Sequence, residues 1–171
     1  MNSSQPVIRT ERLLLRRIRM DDVEALHAIF RDPEAMRYWS TLPHASLAQT
    51  QEFMARTIQS CDAGEADDFA VVFEGRVVGK AGVWQADEIG FIVAREVWGK
   101  GIASEAVRAV IGRAFAQGRA RLRADVDPRN ARSLKLLKNL GFRETGTAKR
   151  TYQIGDEWTD CVYLELLNSL R

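Results

Sequence analysis

The chain is predicted to fold as a single α/β domain over residues 1–171, and three observations support this prediction. Short apolar and β-branched runs alternate with longer runs in which apolar residues recur every three or four positions. A glycine-rich turn joins one strand-like run to one helix-like run, and no regular strand–helix–strand series follows it. The length and an apolar fraction of 46% suffice for one hydrophobic core.

The first part of the chain is predicted as one strand and two helices. Residues 12–19 have a strand pattern. A helix follows, since the next apolar residues have helical spacing: Val23, Leu26, Ile29 and Phe30. After an irregular, proline-containing stretch, a second helix is predicted over about 46–63, with Ser46 as its cap and Gln49 three residues on.

Three strands and the glycine turn are predicted in the middle of the chain. Residues 69–73 and 77–84 form a hairpin, and residues 87–94 form the next strand. The glycine turn at 98–101 then leads into a helix whose apolar residues recur at helical spacing, namely Ile102, Ala106, Val107, Val110, Ile111, Ala114 and Phe115.

The last part is predicted as a strand, a helix and two further strands. Residues 122–126 alternate as in a strand. Asn130 is a plausible cap of the next helix, and Gly141 is suited to end it in a left-handed conformation. Strands over 144–154 and 158–167 complete the order β-α-α-β-β-β-α-β-α-β-β.

Residues 98–103, between the predicted strand and helix, are the strongest single indication of function. Gly99 and Gly101 lack a Cβ, so the backbone can bend and a ligand can approach it. Unpaired N–H groups at a helix start favour a phosphate, and Lys100 adds a positive charge. The pattern therefore predicts a cradle for a pyrophosphate-bearing cofactor. The alternative is a tight strand-to-helix turn without a ligand.

Residues 98–103 match no known phosphate-binding motif, but a second pattern downstream supports the prediction of a cofactor site. Lys100 is followed by Gly101 instead of Ser or Thr, so the segment is not a P-loop, and the third glycine of a dinucleotide fingerprint is missing. Downstream, Asn130 and Ser133 are spaced as Asn-x-x-Ser at the start of the next predicted helix. Strand, glycine turn and helix are thus followed by strand, polar loop and helix.

Taken together, these segments resemble the GNAT superfamily of N-acetyltransferases and, within it, the RimJ/RimL-like branch. The resemblance extends over nearly the whole chain, and five matching segments in the right order are strongly specific. They are residues 10–16 in the first strand, 32–37 in the first helical region, 88–91 in the fourth strand, 98–106 at the acyl-CoA pyrophosphate loop, and 130–142 after the fifth strand.

The resemblance implies a mixed, mostly antiparallel sheet flanked by helices. It also implies that the strands ending near Ala94 and Val126 run parallel and splay apart, with acetyl-CoA held in the gap. The oxyanion donor is expected to be a backbone N–H of the strand near Phe91 to Val93. The residues expected to bind the cofactor are Phe91, Ile92, Val93, Trp98, Gly99, Lys100, Gly101, Ile102, Ala103, Ser104, Asn130 and Ser133.

Two side chains are candidates for catalysis. Glu88 is the candidate general base, because strand alternation puts it on one face with Gly90 and Ile92, and Gly90 leaves room for a substrate or a relay water. The alternative is a solvent-facing glutamate in a cross-strand pair. Many family members carry a tyrosine acid at the position of Leu137, which leucine cannot replace. Attention therefore moves to Ser133 as the hydrogen-bond donor to the CoA sulfur, although it could also be a simple helix-start residue.

The implied activity is direct transfer of the acetyl group of acetyl-CoA to a primary amine in a ternary complex. The acceptor is either a protein N-terminus or a small-molecule amine, such as a polyamine, amino acid or antibiotic. The sequence leaves this choice open. A non-catalytic acyl-CoA-binding or regulatory module is the alternative function.

Composition limits the other partners. A net charge of +2 is too small to indicate nucleic-acid binding. No apolar run approaches the roughly 18 residues of a membrane span, and the start lacks the pattern of a signal peptide. Neither His27 and His44 nor Cys61 and Cys161 have metal-ligand spacing, so no metal is expected. A cytoplasmic location with reduced thiols is expected, and the resemblance makes a homodimer possible.

Overall fold

The protein contains the predicted succession of strands and helices with one strand added at its start. The structure is a computed structural model that describes residues 5–169, apart from the side chain of Ala86. The elements are β1 (Val7–Arg9), β2 (Leu13–Arg16), α1 (Val23–Phe30), α2 (Leu47–Asp62), β3 (Asp67–Phe73), β4 (Arg76–Val83), β5 (Ile89–Val93), α3 (Ile102–Ala116), β6 (Arg121–Val126), α4 (Ala131–Asn139), β7 (Arg143–Ile154) and β8 (Glu157–Leu167).

The first strand was missed, and the second is shorter than predicted. Strand β1 has only three residues and pairs antiparallel with β2, so it carries little periodic signal. A turn separates the two strands, in which the Thr10 N–H donates to the carbonyl oxygen of Leu13. The strand predicted over 12–19 ends at Arg16, because a short 3₁₀ turn at Met20–Asp22 leads directly into α1.

Two sheets diverge from one point, as the resemblance implied. The first sheet has the order β1-β2-β3-β4-β5 and the second β6-β8-β7, and every pair within them is antiparallel. A single parallel bridge between Glu88 and Arg123 joins β5 to β6. Beyond this bridge the two strands are no longer paired, so their carboxyl-terminal halves bound an open gap.

Helices cover both faces of the first sheet. Helix α3 packs on β2, β4 and β5 in a large apolar cluster that also includes residues of β6, β8 and α4. Helices α1 and α2 form a second cluster on the opposite face, with Phe30 and Met54 fully buried. The Ser46 cap of α2 is confirmed, since its hydroxyl oxygen accepts from the N–H of Gln49.

A buried ion pair lies beneath α1 and α2. Lys80 on β4 is 1% exposed, and its Nζ lies 2.6 Å from Oδ2 of Asp68 on β3, which is fully buried. Among residues 5–169, this carboxylate oxygen has no other partner. Three aromatic rings surround the ammonium at 5.4–5.6 Å, those of Trp39, Phe53 and Trp84. The rings and the carboxylate together compensate the buried positive charge.

The two histidines, which show no spacing relation in the sequence, share one hydroxyl group. Nδ1 of His27 and Nδ1 of His44 each lie 2.8 Å from Oγ1 of Thr50. A hydroxyl donates only one hydrogen, so one imidazole accepts from Thr50 and the other donates to it. His44 is buried and stacks on Phe30, with a ring distance of 4.9 Å. This cluster ties α1 to the start of α2.

We expect the stability of the fold to decrease as the pH falls through the titration of His44. Burial, together with the charges of His27 and Arg56, lowers the pKa of His44 below its ordinary value of 6.5. Neutral His44 therefore stabilises the folded state above pH 6.5, and this contribution is lost as the pH falls below that value. Urea unfolding at pH 7.5, 6 and 5 should show the loss in the wild type and a smaller loss in His44→Gln. Equal losses in both proteins would contradict the assignment.

Candidate functional site

The turn between β5 and α3 presents a row of free N–H groups at the start of a 15-residue helix. Gly99 and Gly101 have φ angles of +73° and +77°, a left-handed conformation that favours glycine. Among residues 5–169, none of the backbone N–H groups of residues 99–104 donates a well-formed hydrogen bond to another protein atom. These donors and the positive end of the helix dipole favour an anion at this turn, and the pyrophosphate cradle expected from the sequence stays a prediction.

A carboxylate in the first turn of α3 fixes this loop to the beginning of the chain. Glu105 accepts hydrogen bonds from the Thr10 hydroxyl at 2.6 Å, the Arg12 N–H at 2.9 Å and Arg12 Nε at 2.7 Å. Arg12 Nη1 also donates to the carbonyl oxygen of Lys100 at 2.9 Å. We call these contacts the Glu105 brace. From the sequence, residues 10–16 were expected only to form part of a strand, since a contact between residues some 90 positions apart leaves no local signal.

The start of α4 lies beside the glycine loop. The Asn130 side-chain oxygen accepts from the Ser133 N–H at 3.2 Å, which confirms Asn130 as a helix cap. The guanidinium of Arg132 stacks on the Trp98 ring at 4.2 Å, and Trp98 Nε1 donates to the carbonyl oxygen of Val93. The two predicted patterns, the glycine turn and the Asn-x-x-Ser segment, therefore meet across the gap between β5 and β6.

Alternation along β5 distinguishes the backbone groups that face the gap. The Ala94 N–H donates to Val78 and the Glu88 carbonyl oxygen accepts from Trp84, so even-numbered residues of this strand direct their backbone groups towards β4. Phe91 and Val93 then direct theirs to the open edge. Ile92, also expected to bind the cofactor, instead turns its backbone to β4 and buries its side chain under α1 and α2.

Glu88 lies at the point where the two sheets separate. It lines a cleft of about 520 Å³ with residues of β6, β7 and β8, namely Arg123, Asp125, Thr145, Tyr163, Leu164 and Glu165. Although the residue as a whole is exposed, partial burial and the nearby Asp125 carboxylate raise the pKa of Glu88. Nothing lies within 4 Å of the position that a Cβ on Gly90 would occupy, so space remains beside this carboxyl group.

The sequence analysis missed Asp125, which lines this cleft, and Tyr152, which is hydrogen-bonded to it. The Tyr152 hydroxyl on β7 donates to Asp125 Oδ2 at 2.6 Å, and burial together with this bond raises the pKa of Tyr152. The alternation of residues 121–126 does place Asp125 on the face opposite the buried Leu122, so its exposure was predictable. Its proximity to Glu88 depends on the parallel bridge, which has no local signal.

A family model described as "Acetyltransferase (GNAT) domain" matches residues 12–143, well over half of the chain. The chain belongs to the GNAT acetyltransferase family. An uncharacterized N-acetyltransferase, p20, from Bacillus licheniformis is 33% identical over 146 residues, covering 80% of this chain and 82% of that protein. This GNAT chain is therefore an acyltransferase with an enzymatic active site.

Solved structures show the same fold. A GNAT-family acetyltransferase from Bacillus anthracis is 27% identical and superposes with a TM-score of 0.84, covering 95% of this chain and 99% of that one. RimL, a ribosomal L7/L12 α-N-protein acetyltransferase in complex with coenzyme A, is 18% identical with a TM-score of 0.86, covering 95% and 98% of the two chains. The chain therefore shares its fold with RimL.

The glycine loop of this GNAT enzyme fits the coenzyme A that such relatives bind. The free N–H groups of residues 99–104 suit a pyrophosphate, and the side chains of Lys100 and Arg132 add positive charge beside them. Ala103 and Ser104 are half-buried in the first turn of the helix, whereas the Ile102 side chain is buried in the core. Ile102 can therefore contribute only its backbone.

Leu137, at the position where many GNAT enzymes have a tyrosine acid, is 1% exposed and belongs to the apolar core. Ser133, one turn earlier on α4, is half-buried, and its hydroxyl has no partner among residues 5–169. In the described part of the chain, no three His, Cys, Asp or Glu side chains are grouped to hold a metal ion. None of the helices described is long and apolar enough to cross a membrane.

Proposed function

We propose that this GNAT enzyme transfers the acetyl group of acetyl-CoA directly to a primary amine in a ternary complex. The position of Glu88 carries the proposal: it lies in the cleft where β5 and β6 separate. Burial and Asp125 raise the pKa of this carboxyl group. A base whose pKa is closer to neutrality accepts a proton from an amine more readily, which is what acetyl transfer to nitrogen demands.

The residues around the gap meet the other demands of the reaction. When bound, acetyl-CoA supplies a thioester carbonyl that a neutral amine can attack. Glu88 takes the proton from the ammonium, directly or through a water, and so frees the nitrogen lone pair. The N–H groups of Phe91 and Val93 at the open edge of β5 donate to the developing oxyanion. The Ser133 hydroxyl donates to the sulfur as the carbon–sulfur bond breaks.

Two classes of acceptor fit this arrangement. The likeness to RimL, whose name describes an α-N-protein acetyltransferase, supports a protein N-terminus. The cleft volume of about 520 Å³ is also the size of a small-molecule site, which supports a free amine. A peptide α-amine, with a pKa of about 8, needs less help from Glu88 than an alkylamine with a pKa of about 10.4.

The proposal is tested by the release of free thiol from acetyl-CoA in the presence of N-terminal peptides, polyamines, amino acids and aminoglycosides. Turnover on at least one of these amines is expected, and Glu88→Gln should keep its acetyl-CoA affinity while losing turnover. The class of amine accepted would identify the acceptor. No turnover on any of these amines, with acetyl-CoA still bound, would contradict the proposal and favour a non-catalytic acyl-CoA-binding module.

We expect Ser133→Ala to lower kcat by about tenfold and to leave the acetyl-CoA dissociation constant within about twofold. The reason is that a hydrogen bond to a charged group is worth about 1.5–3 kcal/mol. The sulfur becomes charged only as the transition state is reached, so the loss affects kcat more than binding. The backbone N–H that Asn130 caps is retained in this variant. Steady-state kinetics and calorimetric titration separate the two effects. An unchanged kcat would move the leaving-group role to another residue.

A further inference from the structure

The parallel bridge at the root of the gap sets the positions of two carboxylates. Glu88 on the first sheet is the bridge partner of Arg123 on β6, and Asp125 follows two residues later on the same face of β6. Both carboxylates line the cleft. Asp125 thus lines the same cleft as the proposed base, Glu88. It is two residues beyond the bridge on β6, in the direction in which β5 and β6 separate.

Neither carboxylate is neutralised by the protein. Among residues 5–169, no Lys, Arg or His nitrogen lies within 4.0 Å of either Glu88 or Asp125. The adjacent acid of the cleft, Glu165, does have such partners, Arg121 at 3.3 Å and Arg123 at 3.9 Å. The uncompensated negative charge is therefore confined to the part of the cleft next to the base, where it attracts a cation.

One oxygen of Asp125 is held and the other is left open. The Tyr152 hydroxyl donates to Oδ2 at 2.6 Å. The register of β7 against β8 shifts between Ala148 and Tyr152, and Arg150 within this irregularity has a φ of +52°. Such a bulge re-aims a side chain, here towards β6. No protein donor within residues 5–169 reaches Oδ1, so this oxygen can accept from a ligand.

We infer that Asp125, oriented by the Tyr152 hydroxyl, binds the ammonium form of the acceptor amine and delivers it to Glu88. Asp125 is then an acceptor-binding residue and Tyr152 a positioning residue that acts through it. The acceptor class is an amine that enters as a cation. The inference rests on the proposed function, since only an amine-acetylating enzyme has such an acceptor.

Asp125 also affects the proton transfer. Its negative charge disfavours ionisation of Glu88 and contributes to the raised pKa of that carboxyl group. The other titratable or charged groups around Glu88 are Arg123 on β6, Tyr163 and Glu165 on β8, and Cys161, whose pKa burial and Asp125 raise to about 11. Because Asp125 contributes to the raised pKa of Glu88, a change in the acidic limb of the pH profile on replacing Asp125 reports on the coupling between this residue and the base.

The test compares Asp125→Asn, Tyr152→Phe and the control Glu52→Gln, an exposed carboxylate on α2, using the amine on which the wild type turns over fastest. Asp125→Asn should raise the acceptor KM about tenfold or more and move the acidic limb of kcat/KM to lower pH. Tyr152→Phe should raise the acceptor KM less than Asp125→Asn does, and it should leave the acidic limb of kcat/KM at the wild-type pH. All three should bind acetyl-CoA normally. An unchanged acceptor KM, or an unmoved limb in Asp125→Asn, would overturn the inference.

A second measurement does not need turnover. Carboxyl ¹³C NMR of the acetyl-CoA-bound protein follows the titration of Glu88, which should move to lower pH in Asp125→Asn but not in Glu52→Gln. Absence of this movement would also overturn the inference. If the wild type acetylates none of the amines tested, the proposed function is contradicted instead. Failure of the inference about Asp125 can thus be distinguished from failure of the proposed function.

Discussion

Gly101→Val is expected to raise the dissociation constant of acetyl-CoA about 10- to 100-fold, the equivalent of losing about 1.5–3 kcal/mol of hydrogen bonding to a charged group. Gly101 has a φ of +77°, which a β-branched residue adopts only with strain. A Cβ there would also lie 3.3 Å from the Arg12 guanidinium of the Glu105 brace. The free N–H groups of the loop would therefore lose their common direction.

The matched control for this change is Gly64→Val. Gly64 has a φ of +74° and, like Gly99, nothing within 4 Å of an added Cβ, but it lies after α2 and away from the loop. Both variants should lose about 1–3 kcal/mol of stability to backbone strain. Only Gly101→Val should lose cofactor affinity, measured by calorimetric titration at a temperature where both remain folded. Equal affinities in the two variants would contradict the phosphate role of the loop.

Lys80→Met is expected to lower the free energy of unfolding by about 3–5 kcal/mol, because it leaves the Asp68 carboxylate buried without a counter-charge. The control is Arg56→Met, which removes the exposed ion pair between Arg56 and Glu52. This variant should lose only about 0–1 kcal/mol of stability. Urea denaturation measures both values.

The double variant Lys80→Met/Asp68→Leu identifies the cause of that loss. Removing both charges should restore most of the stability, since an apolar pair often replaces a buried ion pair without net cost. If the double variant is as unstable as Lys80→Met alone, the packing of the three rings around Lys80 matters more than the charge. The ion-pair explanation would then be wrong.

Local features of the chain predicted most of its elements and the glycine turn between β5 and α3. The Ser46 cap, the glycine turn at 99–101 and the Asn130 cap are each specified by residues within four positions of one another, and each is present in the structure. Strand β1 lacked such a signal, because three residues are too few to show a period.

Interactions between distant segments could not be predicted in the same way. Nothing near Lys80 in the sequence indicates that it is buried, and only its ion pair with Asp68 on the neighbouring strand shows how its charge is compensated. The bond from Tyr152 to Asp125 links residues 27 positions apart on strands that are not neighbours in the sheet. The proposed acceptor side of the cleft depends on such pairings, which leave no local signal in the sequence.

Because of the Glu105 brace, residues that do not contact the cofactor can still affect the affinity of the loop for it. Thr10 and Arg12 hold the first turn of α3 through Glu105, and Arg12 also holds the carbonyl of Lys100. A substitution in this opening segment would change how much order the loop must gain when an anion arrives, and hence the entropy lost on binding. Substitutions at Thr10 or Arg12 are therefore expected to change how long this protein retains a bound anion, with the loop sequence itself unchanged.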